Sequence, residues 1–273
     1  MAKTKKIEYT ESQVNLIKHF DILKIELEKN KETYDKLNYD MVHFWDNHLK
    51  NNKQEEKKGF WNLFSQKEEK PVEEKDESGI KIRSLKEFKD YEKMLSNYSH
   101  LYNIKGLYIY GSPGCGKTFL MDLFYNSVDL KKKKRTHFNE FMLEVHDNLH
   151  KLRSRLTYKT TDMDPLYILA TEMAKEYNLI CFDEFQVFDI ADAVILKRLF
   201  EILYMNYVVT VATSNRPPEN LYLNGLQRHL FLPFIDEVKL RNQVINLSAK
   251  DFRIRHDIVL ETFIYPLNDV NRV

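Results

Sequence analysis

The stretch Leu107-Tyr108-Ile109-Tyr110-Gly111-Ser112-Pro113-Gly114-Cys115-Gly116-Lys117-Thr118-Phe119-Leu120-Met121 decides the fold. A short apolar run enters it, a glycine-rich turn follows and an apolar segment continues it, which predicts strand, loop and helix in that order. The turn has the spacing G-x-x-x-x-G-K-[ST]. Its glycines let backbone N–H groups converge on β- and γ-phosphate oxygens without Cβ clashes, and the helix N-terminus adds partial positive charge. Gly111, Ser112, Pro113, Gly114, Cys115, Gly116, Lys117, Thr118 and Phe119 are therefore candidate nucleotide-binding residues. Lys117 is expected to reach the β/γ-phosphates and the Thr118 hydroxyl to ligate Mg2+. Cys115 reads as a bystander, because nothing near it in sequence marks an activated thiol.

Composition supports that focus. The 273 residues include only seven glycines, and four of them (Gly106, Gly111, Gly114, Gly116) fall within eleven positions. A length near 270 suits one large α/β domain, alone or with a small partner. The 43% hydrophobic content suffices for a packed core and excludes global disorder. A net charge of +1 argues against a wholesale polybasic nucleic-acid surface, although local patches remain open. Two cysteines far apart, Cys115 and Cys181, exclude a disulfide framework or a Cys-based zinc site and fit a reducing setting. No run approaches the ~18–20 apolar residues of a membrane helix. Met1–Thr10 has no apolar core of a secretory signal, and Glu8 and Glu11 depart from an organelle transit pattern. Such a start is expected of a processed or trimmed chain.

Outward from the loop, apolar residues at three- and four-residue steps predict helices over residues 12–49, with Thr10 or Ser12 as the N-cap and a second helix over 34–49. Residues 50–79 turn Lys/Glu-rich and read as a solvated linker, interrupted by an aromatic anchor at Gly59–Phe64. From residue 80 to 250, strand-like runs at 107–110, 136–138, 179–182 and 208–213 alternate with helical segments. These include one from Gly116, one over 141–156 and one capped by Asp189. This alternation predicts an α/β fold with a mostly parallel sheet between helices.

Leu179-Ile180-Cys181-Phe182-Asp183-Glu184 is an apolar strand ending in two carboxylates, 66 residues after Lys117. Such a strand delivers Asp183 to the sheet's C-terminal edge, where open α/β sheets bind ligands. Asp183 is the candidate Mg2+ ligand beside Thr118, acting through water. Glu184 is the candidate that polarises an attacking water, so hydrolysis is the expected reaction. A further strand ends in Thr213-Ser214-Asn215, and Asn215 is assigned to positioning that water; the alternative is a turn residue before Arg216-Pro217-Pro218. Arg228 is the candidate to stabilise charge developing on a γ-phosphate, expected on a neighbouring subunit, with Arg216 as its rival.

With these motifs in place, Gly106–Tyr125, His137–Met142 (HFNEFM), Phe182–Phe200 (FDEFQVFDIADAVILKRLF) and Thr213–Asp236 (TSNRPPENLYLNGLQRHLFLPFID) closely resemble the AFG-like ATPases, a family of AAA+ proteins. The resemblance runs from about residue 8 to the end and is poorest around residues 50–78. It implies a P-loop NTPase of the AAA+ type with ATP and Mg2+ as ligands. It also implies self-assembly into a ring, expected to be a hexamer, with Arg228 matching the family's trans-acting arginine. Eukaryotic members imply protein quality control at the mitochondrial inner membrane, and bacterial members imply a role in division. Phe141 and Met142 follow the second strand, where AAA+ proteins place a pore loop, and are proposed to grip a protein substrate; the alternative is a buried helix start.

Two departures stand out. Pro113 and Cys115 occupy loop positions where the family more usually carries Val and Arg or Thr. Soon after Asp251-Phe252-Arg253, which resembles the family's opening of its last region, the chain stops at Val273. The expected organisation is an N-terminal helical region (1–49), a linker (50–79), an ATPase core (80–250) and the start of an apparently incomplete C-terminal lid (251–273). The leading expectation is an ATP-hydrolysing remodeller of protein substrates, mitochondrial by resemblance, with a cytoplasmic setting as the alternative. Membrane association stays open. The Lys131–Arg135 run supports a rival, a nucleic-acid-associated ATPase of the helicase-loader kind, unless it is a solvated loop. A third reading is a nucleotide-dependent scaffold with little turnover.

Overall fold

The computed structural model describes residues 10–51, 85–155 and 164–247. The Gly59–Phe64 anchor and the Asp251–Arg253 segment lie outside these described residues. Eight α-helices occur among the described residues: α1 (Glu11–Lys29), α2 (Lys31–Asn51), α3 (Leu85–Ser96), α4 (Lys117–Ser127), α5 (Phe138–Arg155), α6 (Pro165–Glu176), α7 (Ile190–Met205) and α8 (Leu232–Arg241). The strands are β1 (Gly106–Tyr110), β2 (Lys133–His137), β3 (Leu179–Asp183), β4 (Val209–Ser214) and β5 (Asn242–Asn246). They form one sheet in the order β2-β3-β4-β1-β5, with every pair parallel. The parallel pairing brings all five C-terminal ends to one edge.

The central strands are apolar because both faces are covered. β3 is buried throughout, as is β4, which is the pattern a helix-flanked parallel sheet requires. Cys181 is part of this core, and burial pushes its thiol pKa up. On one face the aromatic residues interlock: Phe182 meets Phe141 at 4.8 Å and Phe200 at 5.6 Å, and Phe138 meets Phe185 at 4.2 Å. Phe141 and Met142, expected to grip substrate, are 0% and 3% exposed. The reason is the position of the helix start. α5 begins directly after β2, so positions 138, 141, 142, 145 and 149 share its inner stripe. The outward residue beside them is Leu143, 70% exposed.

The basic run is also placed differently from a loop. β2 begins at Lys133, so Lys133, Lys134 and Arg135 lie on an edge strand, where charged side chains hinder pairing with other chains. Their cations are engaged within the molecule. Lys133 Nζ donates to the Tyr125 and Val128 carbonyls at 2.6 Å each, at the C-terminal end of α4 where cations are favoured. Lys132 Nζ donates to the Lys175 carbonyl at 2.7 Å, and Lys134 Nζ to Glu144 at 2.5 Å.

α1 and α2 are packed onto the sheet-bearing unit. Thr10 caps α1 in a capping box with Gln13. Leu16, Phe20, Leu23 and Leu27 form the buried stripe of α1, and Phe20 stacks on Phe124 of α4 with ring centroids 4.6 Å apart. From α2, Asn38 pairs with Asn178 beside β3 at 2.9 Å. Among the described residues, no helix is long and apolar enough to cross a membrane.

Candidate active site

The site forms where β1, β3 and β4 end together. β1 runs into the loop 111–116, and Gly116, at φ +92°, starts α4. Gly114 also has positive φ, +81°. Successive N–H groups in such a turn form an anion-binding concavity, and the first N–H groups of α4 have no intrahelical acceptor. Gly111 is pinned from the other side: a Cβ there would lie 2.5 Å from the Leu247 carbonyl oxygen. Pro113 and Ser112 are exposed on the loop's outer surface, Cys115 is buried, and Phe119 is 52% exposed at the start of α4.

Lys117 is buried and folds back over the loop. Its ammonium donates to the Gly111 carbonyl at 2.8 Å, the Ser112 carbonyl at 2.9 Å and Asn215 Oδ1 at 3.0 Å. Its cation is thereby placed inside the ring of loop atoms. The Cys115 sulfur lies 3.8 Å from Nζ. Asn215, just past β4, is thus brought to the loop by the lysine itself.

Asp183 is 3% exposed and its carboxylate is satisfied on both oxygens. Oδ1 accepts from Thr118 Oγ1 at 2.9 Å and Thr213 Oγ1 at 2.6 Å. Oδ2 accepts from Arg135 Nη2 at 2.9 Å, with His137 Nδ1 at 3.8 Å. Arg135 reaches across from β2 because His137 and Asp183 are register partners at the strand ends. Its Nε also donates to Asp122 at 3.0 Å. The buried charge is therefore paired and hydrogen-bonded, as burial demands.

Glu184 follows at φ +55°, left-handed for a non-glycine residue, a conformation that costs about 1 kcal/mol or more and needs support. The Thr213 hydroxyl accepts the Glu184 N–H at 3.2 Å, and the Thr213 carbonyl accepts the Phe185 N–H at 2.7 Å. The turn releases the Glu184 side chain to solvent, at the sheet edge beside Asp183.

Arg228 stands apart. Its Nη2 donates to the Glu219 carbonyl at 2.5 Å, and none of its hydrogen bonds reaches the loop or Asp183. Arg216 is exposed, and its carbonyl accepts from Tyr108 Oη at 2.9 Å. Lys117, Thr118, Asp183 and Asn215 are thus joined within one chain, and Arg228 is not. Sequence reading missed Arg135 and Thr213. The only signal for Arg135 was its position two residues before a strand end; Thr213 could have been noticed as the hydroxyl nearest Asn215 at the close of its strand.

The constellation fits a nucleotide phosphate and a divalent cation: a concave loop, a buried cation within it, and a hydroxyl–carboxylate pair beside it. The AFG1-like ATPase family model matches residues 47–272. Lactation elevated protein 1 homolog B of Danio rerio is 56% identical over 156 residues, covering 55% of this chain and 31% of that protein. Cell division protein ZapE of Escherichia coli K12 is 44% identical over 170 residues, covering 62% of this chain and 44% of that protein. The chain therefore spans less than half the length of these two relatives. Among solved structures, the DnaI crystal structure shares 16% identity at a TM-score of 0.40, covering 61% of this chain and 82% of that one. The replication initiator DnaA bound to AMPPCP and single-stranded DNA shares 18% identity at a TM-score of 0.41, covering 60% and 46%. With the family model matching most of its length around a P-loop NTPase sheet, this chain belongs to the AFG1-like ATPase family.

Proposed function

We propose that the chain binds Mg-ATP at the 111–118 loop and hydrolyses it to ADP and phosphate. The observation that carries this reading is the convergence of Lys117, Thr118, Asp183 and Asn215 through direct hydrogen bonds at one sheet edge. Lys117 exchanges its carbonyl partners for β/γ-phosphate oxygens, and the loop N–H groups hold the remaining charge. Thr118 and Asp183 hold Mg2+, which neutralises phosphate charge. The Glu184 carboxylate takes the proton of the attacking water, and Asn215 orients that water.

We further propose that chains assemble into a ring and that Arg228 serves a neighbouring subunit's nucleotide. Supporting this are its hydrogen bond to the Glu219 carbonyl rather than to the site of its own chain and the exposed Leu223, Leu226, Leu230 and Leu232 near it in sequence, an apolar display suited to a partner surface. Remodelling of protein substrates in mitochondrial protein quality control rests on the family resemblance. Nucleic acid is not proposed as a partner: Lys132, Lys133, Lys134 and Arg135 each donate to a group of this chain.

The experiment is phosphate release per chain against protein concentration. Specific activity that rises with concentration and is lost in Lys117→Ala and Arg228→Ala supports the whole reading. A concentration-independent rate unaffected by Arg228→Ala removes the ring and keeps the ATPase. No release in the parent despite Mg-ATP binding removes hydrolysis.

A further inference from the structure

Helix α1, far from the loop in sequence, reaches the back of it. Gln13 is the third residue of α1 and only 6% exposed. Its Oε1 accepts the Thr10 N–H at 3.0 Å, completing the capping box. Its Nε2 donates to the Cys115 carbonyl at 3.0 Å, across 102 residues of chain. The capping box explains the oxygen of this amide. It does not explain a buried N–H aimed at the phosphate loop.

We propose that Gln13 is a positioning residue for nucleotide phosphate, holding the Cys115–Gly116 peptide so that the Gly116 N–H faces the phosphate site. In a planar trans peptide the carbonyl and the N–H point in opposite directions. Gln13 grips the carbonyl from the α1 side, so the N–H of the same peptide is turned to the far side. This peptide has special need of an external tether. Gly116, at φ +92°, lacks the side chain that would restrict its backbone, and glycine populates several orientations at little cost. Packing reinforces the tether: a Cβ on Gly116 would lie 3.2 Å from Gln13 Nε2, and Phe20 on Phe124 fixes α1 against the helix the loop feeds. The start of the N-terminal helical region thereby becomes part of the nucleotide site. The proposal rests on the reading of 111–118 as a phosphate loop.

The test compares Gln13→Glu, Gln13→Ala and Thr10→Ala with the parent, reading the Kd for a fluorescent ATP analogue with Mg2+ and the Tm without nucleotide. Glu at position 13 keeps the acceptor that the capping box needs and turns the donor into an oxygen facing the Cys115 carbonyl. The expected result is a Kd raised about tenfold in both Gln13 variants, the effect of one buried hydrogen bond, while the Tm falls in all three variants. Thr10→Ala lowers Tm and leaves Kd unchanged. If Gln13→Glu does not fold, Gln13→Ala set against Thr10→Ala carries the comparison. A Kd within twofold of the parent in the Gln13 variants overturns the proposal and leaves Gln13 as a helix cap. Lys117→Ala binding as tightly as the parent removes the phosphate-loop reading instead, which separates the two failures.

Discussion

The loops that leave β1 and β4 are built in opposite ways. The 111–116 loop is completed within its own chain: Lys117 is satisfied by two loop carbonyls and Asn215, and Thr118 by Asp183. The segment after Asn215 is unfinished. It holds Tyr222, Asn224 and Gln227 at positive φ without being glycine, each at a cost of about 1 kcal/mol, and it displays Leu223, Leu226 and Leu230 to solvent. Arg228 Nε is buried there with no hydrogen-bond partner among the described residues. A site whose lysine, threonine and aspartate are held in place while its loop N–H groups lack intrahelical acceptors is ready for a small anionic ligand. A strained, apolar surface around an incompletely paired arginine is suited to a second protein body. Under the proposed function, the first loop binds and the second licenses turnover in a neighbour.

The largest expected effect separates the two loops. Arg228→Ala should lower phosphate release about 10³-fold, the low end of the range for an arginine that stabilises transferring phosphate, with the Kd for the ATP analogue unchanged. A matching loss of binding would place Arg228 in its own chain's site and erase the distinction.

Arg135→Ala probes the completed region. Removing the guanidinium leaves a buried carboxylate short of its charge partner, which should cost about 2 kcal/mol given Arg135's partial exposure. The nucleotide-free Tm should then fall by roughly 6 °C. Mg-ATP should restore part of the loss, since Mg2+ brings positive charge back beside Asp183. An unchanged Tm would mean that the ion pair contributes nothing to the folded state.

Leu226→Asp probes the unfinished region. The concentration at half-maximal specific activity should rise about tenfold, with the monomer's Tm unaltered because Leu226 packs against little. The smallest effect concerns Glu219, whose carbonyl accepts from Arg228. The hydrogen bond from Lys239 at 2.7 Å holds its carboxyl below the ordinary 4.5. That stabilisation is present above the ordinary value and is lost as pH falls through the lowered one. In urea unfolding, the gap between parent and Lys239→Ala should therefore be present at pH 6 and shrink as pH falls below 4.5. A gap that widens with acidity would contradict the assignment.

The strand, glycine-rich turn and helix over 106–127 were legible in sequence because the pattern is local: an apolar run, clustered glycines and a second apolar run follow one another directly. Asp183 and Asn215 were legible because each ends an apolar strand. Arg135 was hidden in a run of lysines whose composition equally describes a solvated loop; only the sheet order, with β2 beside β3, puts it on Asp183. Gln13 was invisible for the same physical reason, since its partner lies 102 residues away and its own position asked only for a helix cap. α6 escaped the reading because it is buried over Leu166–Lys175 and so lacks the polar face that marks a surface helix. Phe141 and Met142 were in the right helix, but a start directly after β2 turns them to the core.

The most direct measurement is equilibrium titration of a fluorescent ATP analogue into the parent and Lys117→Ala, each with Mg2+ and with EDTA. The account predicts one saturable site per chain, weakened at least tenfold by EDTA and lost at least a hundredfold in a folded Lys117→Ala. Equal, Mg2+-independent binding in both proteins would contradict the claim that Lys117, Thr118 and Asp183 form the nucleotide site.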